Sequence, residues 1–410
     1  MAKKGNLYEN RSQQEVSKFL QVIIFLLFGF GPVMGNVILV LFGVLSKEFN
    51  ATPSTILIAI PAFMFPFAFI QLFSGAISDV KGRFPVILFG LVIFGIGMIV
   101  AATSFSFLMF VVANILGGIG FGFVNPVLIA LITDITKGAE IPKRIGYLGA
   151  VANLGVGLGP LLAGQMIVVG WRYLYVLFVL ITIFSFIVLI TIKQPPQKVD
   201  KDAGLRLFFT HLHIEIRRPL VILMILSAFL TSQTYLATLI WSSRAFTGAV
   251  NEAVVGLILF IVGVIAAISG IVGGHLIKKK GVGIALLLGL LSLLIGVSLL
   301  LILGDITRSK LLIYVAIGLI IVAVAGGMLF PTFTYYSQIF SPERRGALAG
   351  LATAGYFIGN ALVPVTYTPF FNFGGITAVY MGILIVTILL IFSVGLLYIL
   401  AKHQHEIILN

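Results

Sequence analysis

The sequence predicts an all-α membrane protein: twelve transmembrane helices in two pseudo-symmetric bundles of six. Three observations predict it. Of 410 residues, 60% are hydrophobic and only 10% charged, with a mean hydropathy of +1.17, too little polar surface to cover a soluble core. The apolar runs are continuous rather than alternating, and each reaches the roughly 20 residues that a bilayer-spanning helix needs, which excludes a barrel. A pattern of glycines also recurs at an offset of 199–200 residues.

Taken in order, the spans fall at roughly 18–46, 53–77, 85–104, 106–133, 145–169, 172–192, 218–243, 251–277, 282–303, 311–339, 346–371 and 375–400. Residues 1–17 are polar, and the run after them is a full span without a small-residue cleavage pattern, so an uncleaved first helix is expected. The second and third spans flank a charged hairpin, Gly75-Ala-Ile-Ser-Asp-Val-Lys-Gly-Arg83. The fourth and tenth each carry glycines ahead of a proline, Gly117 to Pro126 and Gly326 to Pro331. Gly146, Gly155 and Gly159 of the fifth recur as Gly346, Gly355 and Gly359 of the eleventh, and Gly75 to Gly82 recurs as Gly274 to Gly281. Parallel six-helix repeats are expected from this. The segment between the sixth and seventh spans holds Pro195-Pro196 and an aromatic-basic run, Leu205 to Arg217. It reads as a linker with an amphipathic piece on the membrane surface. The division is therefore a tail (1–17), a bundle (18–192), a linker (193–217), a second bundle (218–400) and a tail (401–410).

Net charge is +13, which in a soluble protein suggests nucleic acid. Here the cations cluster at one side. With the N-terminus inside, inner segments hold 21 Lys/Arg and outer loops hold 5, so both termini are expected in the cytoplasm. The expected setting is the plasma or inner cell membrane. There are no cysteines, which removes disulfides and thiolate-held metals. No G-x-x-x-x-G-K-[ST] phosphate loop and no intramembrane His/Asp/Glu cluster is present, so neither ATP drive, a metal, a cofactor nor an enzyme is expected.

Gly75 to Arg83 is similar to the loop motif G-x-x-x-D-x-x-G-R between spans two and three of the major facilitator superfamily. Gly146, Gly155, Gly159-Pro160 and Gly164 resemble the fifth-span motif of its antiporters, with Ala163 where a glycine is usual. Together with twelve spans, a central linker and a half repeat, the resemblance covers almost the whole chain, and its nearest branch is the twelve-span drug/proton antiporters. It implies a transporter that works by alternating access and exports a small amphipathic molecule, with H+ or another ion as coupling partner, as a monomer in the bilayer and without nucleic acid. A proton-independent facilitator or importer is the alternative, and a non-transporting receptor a third reading. The resemblance also implies a latch. Asp79 would meet the N-terminus of the eleventh helix near Gly346, and Arg83 would meet Asp134 at the end of the fourth, with Gly75 and Gly82 shaping the turn. The plainer explanation of this hairpin is a set of solvated charges, and that of the fifth-span glycines is close packing.

All 13 acidic and all 26 basic residues lie in loops, tails or helix ends, so a buried proton carrier of the usual kind is missing. Asn114 stands where the family's fourth-span arginine is expected. Coupling through Asp79, Asp134 or His275, through an ion held by uncharged oxygens, through a charged substrate that is its own driving ion, or none at all, stays open. The interior instead holds amides: Asn36, Gln71, Asn114, Asn125, Asn153, Gln165, Gln233, Gln338 and Asn360. None lies in spans three, six, eight, nine or twelve, and the resemblance implies that spans three, six, nine and twelve face lipid. Helical spacing places Asn114, Gly118, Gly122 and Asn125 on one stripe, Ser227, Thr231, Tyr235 and Thr238 on another, and Thr353, Tyr356, Asn360, Pro364 and Tyr367 on a third. A neutral, aromatic substrate site is expected from Asn36, Asn114, Asn153, Thr231, Gln233, Tyr235, Tyr335, Tyr356 and Asn360. Each amide taken singly has an equally good explanation as a helix–helix hydrogen bond.

Overall fold

A computed structural model describes residues 2–136, 140–192, 210, 212–303, 308–340 and 345–409. Side chains at 2–18, 141–143, 145, 303, 308–311, 338, 345–347 and 404–409 fall outside that description, as do residues 193–209 and 211 of the expected linker. The described residues are almost all helical, with no strand among them.

Helix α1 is Ala2–Asn36, continued after one residue by Ile38–Glu48. Val37 keeps helical angles (φ −58°, ψ −33°), so this is a lapse in hydrogen bonding and not a change of direction. Residues 2–17, expected as a tail, continue the first helix. Helix α2 comprises Pro53–Ile56 and Ala59–Lys81. It opens on Thr52, whose hydroxyl accepts the Thr55 N–H at 3.1 Å and satisfies one of the free donors of a helix N-terminus. Next come α3 (Arg83–Ala102), α4 (Phe107–Asp134), α5 (Ile141–Met166) and α6 (Trp171–Thr191). After them follow α7 (Pro219–Phe246), α8 (Glu252–Lys280), α9 (Val282–Leu303) and α10 (Arg308–Ile339). Ser106 and Asn251 cap α4 and α8 as Thr52 caps α2.

The last helical run, Arg345–Leu409, covers both of the last two expected spans. It is continuous except at Gly374 and Gly375, where the backbone leaves helical angles and Gly375 takes φ +64°, a conformation that favours glycine. By length and composition eleven described segments are fit to cross a membrane, and the last of them, Leu348–His403, has 56 residues. Straight, it would run ~84 Å, far beyond a ~30 Å hydrocarbon core. It is not straight. A Cβ on Gly382 would touch the Phe370 ring at 3.1 Å, so the chain doubles back and forms two arms, 345–373 (α11) and 376–409 (α12).

The repeat seen in the sequence recurs in the packing. Pairs α1–α5, α2–α4, α3–α4 and α3–α6 have counterparts α7–α11, α8–α10, α9–α10 and α9–α12. Gly155 and Gly159 lie against the α1 backbone at Gly29 and Val33, and Gly355 and Gly359 lie against the α7 backbone at Ile225 and Phe229. Gly82 and Gly281 share a turn, at φ +92° and +82°.

The two halves meet mainly through α5 with α8 and α2 with α11, and the contact is confined to part of the helix length. A Cβ on Gly164 would stand 2.6 Å from the Glu252 carbonyl, one on Gly256 2.5 Å from the Pro160 carbonyl, and one on Gly263 2.8 Å from Gly157. At that same end the Ser243 hydroxyl donates to the Leu39 carbonyl, joining α7 to α1. The void left between α1, α7 and α8 is about 10 Å³, room for one water. Every residue of α7 from Thr231 to Ser243 is buried. Toward the end that bears the termini the picture reverses. A Cβ on Gly75, Gly146, Gly149, Gly274 or Gly350, from α2, α5, α8 and α11, would meet nothing within 4 Å. The bundle is closed at one end and parted at the other.

Gly159→Leu is expected to wedge α5 off Val33 and cost on the order of 1–3 kcal/mol, as overpacking does, lowering the unfolding midpoint in detergent. Gly146→Leu projects into open space and should leave the midpoint unchanged; equal losses would contradict the packing described.

Candidate functional site

The charged hairpin is organised by Arg83. Its side chain is 15% exposed and pairs with Asp79, while its Nε donates to Asp134 Oδ2 at 3.0 Å. One Nη donates to the Ser78 hydroxyl at 2.6 Å, and that hydroxyl donates to the Gly75 carbonyl at 2.7 Å. Gly82, at positive φ, turns the chain so that Arg83 reaches back to α2 and across to α4. The network ties three helices of one half together around a mostly buried guanidinium, where charge-assisted bonds are strong. Gly346 lies in the first turn of α11, among residues whose side chains are outside the description.

The fifth-helix motif splits into two faces. Gly155 and Gly159 receive α1, whereas Pro160 and Gly164 receive α8. Gly146 touches neither. Gly157, which the motif does not include, carries the midpoint of the α5–α8 contact at Leu259, Phe260 and Gly263. On α8, Gly256, Gly263 and Gly270 recur every seventh residue, and Gly263 is the one that meets Gly157. That spacing is a legible helix-pairing signal, and no motif reading uses it.

The nine expected substrate residues do not form one cluster. Asn36 and Asn114 are buried, but each donates its amide to its own helix, to the Pro32 and Phe110 carbonyls, both at 2.8 Å. Thr231 does the same to the Ser227 carbonyl at 2.8 Å. Ser227, on the same expected stripe, bonds Ser393 of α12 at 2.8 Å, so that stripe does not face a single space. Tyr335 is 41% exposed, toward the parted end. Asn153 sits at the boundary of the halves, its amide nitrogen 3.8 Å from where a Gly270 Cβ would stand.

The remaining four come together in the second half. Gln233 donates to the Gly359 carbonyl at 2.7 Å, and the Tyr367 hydroxyl donates to the Gln233 carbonyl at 2.7 Å, joining α7 to α11. The Tyr235 ring lies against Gly326 of α10, and one turn along α10 the Phe330 ring stands 4.7 Å from Tyr356. Gln233 Oε1, the Tyr235 hydroxyl and Asn360 Oδ1 are buried without a partner, as are Gln71 Nε2 and Asn125 Oδ1 in the first half. An unsatisfied buried polar atom is costly, so a group of them marks a place where something else can bond.

Between these positions runs a chain of rings. Phe178, Phe30, Phe94, Phe121, Phe67, Phe357, Tyr356 and Phe330 follow one another at centroid separations of 5.1, 5.5, 5.5, 6.2, 4.7, 5.5 and 4.7 Å. The chain crosses from one half to the other at Phe67–Phe357. Gln71 is one helical turn beyond Phe67, and Asn360 one turn beyond Tyr356. The middle of the molecule is thus aromatic and neutral, with amide and phenol atoms at its edge.

A sequence profile described as Major Facilitator Superfamily matches residues 22–364 and, in an overlapping second match, 251–407. The chain is 29% identical over 152 residues to the quinolone resistance protein NorA of Staphylococcus aureus, covering 37% of this chain and 39% of that protein. It is 30% identical over 102 residues to an MFS-type transporter of Aspergillus terreus, covering 25% and 18%. The matched stretch therefore spans less than half the length of these curated relatives. In three dimensions it resembles a D-xylose-proton symporter (TM-score 0.70, 18% identity, 91% of this chain and 96% of that one). It also resembles the human organic anion transporter MFSD10 (TM-score 0.69, 19% identity, 92% and 99%). At such identities the likeness concerns the fold alone.

Tyr235→Phe removes a buried hydroxyl that has no partner. The folded protein should gain about 1 kcal/mol, read as a higher unfolding midpoint in detergent. Gln233→Leu removes the α7–α11 bond and should lower it. A midpoint lowered by Tyr235→Phe would show that the hydroxyl is bonded.

Proposed function

Because the chain belongs to the major facilitator superfamily, we propose that it is a secondary transporter that moves a small amphipathic molecule by alternating access, with efflux as its direction. The observation that carries this reading is the unequal contact between the halves: glycine-tight from Asn153 and Gly270 to one end, parted at Gly75, Gly146, Gly274 and Gly350 toward the other. A static receptor has no need of two helix pairs that meet over only half their length. A transporter does, because opening one end must accompany closing the other.

The 21-to-5 split of Lys and Arg favours cytoplasmic termini, with the hinge at Gly374–Gly375 giving twelve crossings in all. The closed end is then extracellular and the parted end opens to the cytoplasm, the side from which an exporter loads. In the opposite state the parted ends would meet, and Asp79 would face the N-terminus of α11, where a helix dipole favours an anion. Arg83, held by Asp134 and Ser78, positions that carboxylate. The aromatic chain with its neutral edge suits an apolar, weakly polar solute better than a sugar acid or phosphate. The name of the Staphylococcus aureus relative, a quinolone resistance protein, supports export of such compounds. All thirteen carboxylates lie outside the apolar spans or at their ends, which favours one second reading, a proton-independent facilitator on the same fold.

In liposomes, a panel of amphipathic dyes is expected to accumulate faster with the purified chain than without it, and imposing a pH gradient separates the two readings. Movement equal to empty liposomes would sink both. Asp79→Asn is expected to slow transport about tenfold, matching a coupling of ~1.4 kcal/mol. The chain has no cysteine of its own, so the pair Gly75→Cys with Gly350→Cys reports on the parted end directly. A bifunctional thiol reagent should join them only when the cytoplasmic side closes and should then arrest transport; joining without arrest would contradict alternating access.

A further inference from the structure

On the outer flank of the first half, α1, α5 and α6 enclose a crevice of about 320 Å³. Its floor is the glycine contact of the two helices: a Cβ on Gly155 would stand 2.5 Å from the Gly29 carbonyl. Its mouth is formed by Leu26, Leu154 and Leu158, exposed by 43%, 38% and 37%. The lining side chains are all hydrocarbon or phenyl, and the crevice belongs neither to the boundary between the halves nor to the aromatic chain's crossing point.

The α5 wall is a single stripe, Val151, Leu154, Leu158 and Leu162, at helical spacing. From Val151 to Leu162 it extends ~16 Å along the axis, about one leaflet of a ~30 Å hydrocarbon core. Followed toward the end that bears the termini, the same stripe continues through Tyr147 to Arg144. Tyr147 is 43% exposed, with its ring 6.3 Å from Phe25 of α1, the amphipathic position that tyrosine takes at a membrane interface. Arg144 is 28% exposed and its Nε is buried without a hydrogen-bond partner. Its ion pair with Glu140 is long, 3.7 Å, and the glutamate is 62% exposed, so that pair holds the guanidinium weakly.

A chain-length apolar slot, an interfacial phenol and an under-bonded cation follow one another along one helix face. We propose that this crevice binds one anionic phospholipid, an acyl chain lying along α5 and its phosphate at Arg144. Charge complementarity selects the occupant: an apolar solute would use the slot and leave the guanidinium unmatched, whereas a phospholipid matches both, with the bidentate geometry that arginine offers a phosphate. The bound chain would back the α1–α5 contact that Gly155 makes.

The test is native mass spectrometry of the full chain released from detergent, with phosphatidylglycerol or phosphatidylcholine of identical acyl chains added stepwise. The first phosphatidylglycerol is expected to be retained about fivefold more than phosphatidylcholine, the preference that one surface arginine supplies. Arg144→Gln should erase the preference and Arg144→Lys should keep most of it. Leu158→Trp, which fills the mouth, should reduce retention of both lipids while leaving the unfolding midpoint of the lipid-free protein near that of the parent. Equal retention of the two lipids by the parent, an unchanged preference in Arg144→Gln, or full retention in Leu158→Trp would each overturn the proposal. Displacement of the bound lipid by an amphipathic dye that the protein transports would assign the crevice to the solute and overturn it as well.

Discussion

Backbone contact between α5 and α8 is the constraint on which the rest of the structure depends. In a bilayer the lipid tails are as apolar as leucine, so helices gain little by hiding side chains from their surroundings. What holds them is van der Waals contact, which grows as the backbones approach. Here the approach is set by Gly157, Gly164, Gly256 and Gly263, where a methyl group would collide with main-chain atoms of the opposite helix. Contact of this kind either fits along its length or is lost, because packed surfaces have discrete arrangements and are not continuously deformable. Its restriction to one end of both helices makes the parted end a consequence of the closed one.

Polar groups in the interior are distributed by the same scarcity of partners. An amide in hydrocarbon must bond to something, and the cheapest acceptor is the carbonyl four residues back on its own helix. Asn36, Asn114 and Thr231 take that option and are neutral to whatever lies beside them. Gln233 and Tyr367 reach across to another helix and fix α7 against α11. Asn360 Oδ1 and the Tyr235 hydroxyl do neither, and Asn360 lies one turn past Phe357, which makes the only ring contact described between the halves, with Phe67. Charge is handled differently again. Arg83 sits at a helix end, where three acceptors from two helices can surround it, so the hairpin is rigid within its own half and available to the other.

Much of the architecture was legible beforehand. Continuous apolar runs name membrane helices without reference to contacts, and the offset of 200 residues between the fifth- and eleventh-helix glycines anticipates that Gly155 and Gly355 occupy the same place in their halves. The hairpin residues Asp79, Arg83 and Asp134 were legible too, since the motif is short and its partners lie at helix ends. The surroundings of the residues expected at a substrate site were much less so. A stripe on a helix is known from spacing, yet the direction that the stripe faces depends on the helix's rotation about its axis, which no local pattern states. Ser227 and Thr231 share a stripe with Tyr235, but the first bonds α12, the second bonds its own helix, and the third lies against α10.

The sequence by itself determined the class of the protein, the position of its helices and the equivalence of its halves, because hydropathy and glycine spacing are properties of the chain read linearly. Only the tertiary structure decided how tightly the last two spans are joined, with Gly374 and Gly375 the sole break in one helical run. It alone decided which glycines carry the contact between halves, at which end that contact stops, and which amides remain unbonded. Those features arise where two surfaces from distant parts of the chain meet, and a meeting of surfaces is a property of neither alone.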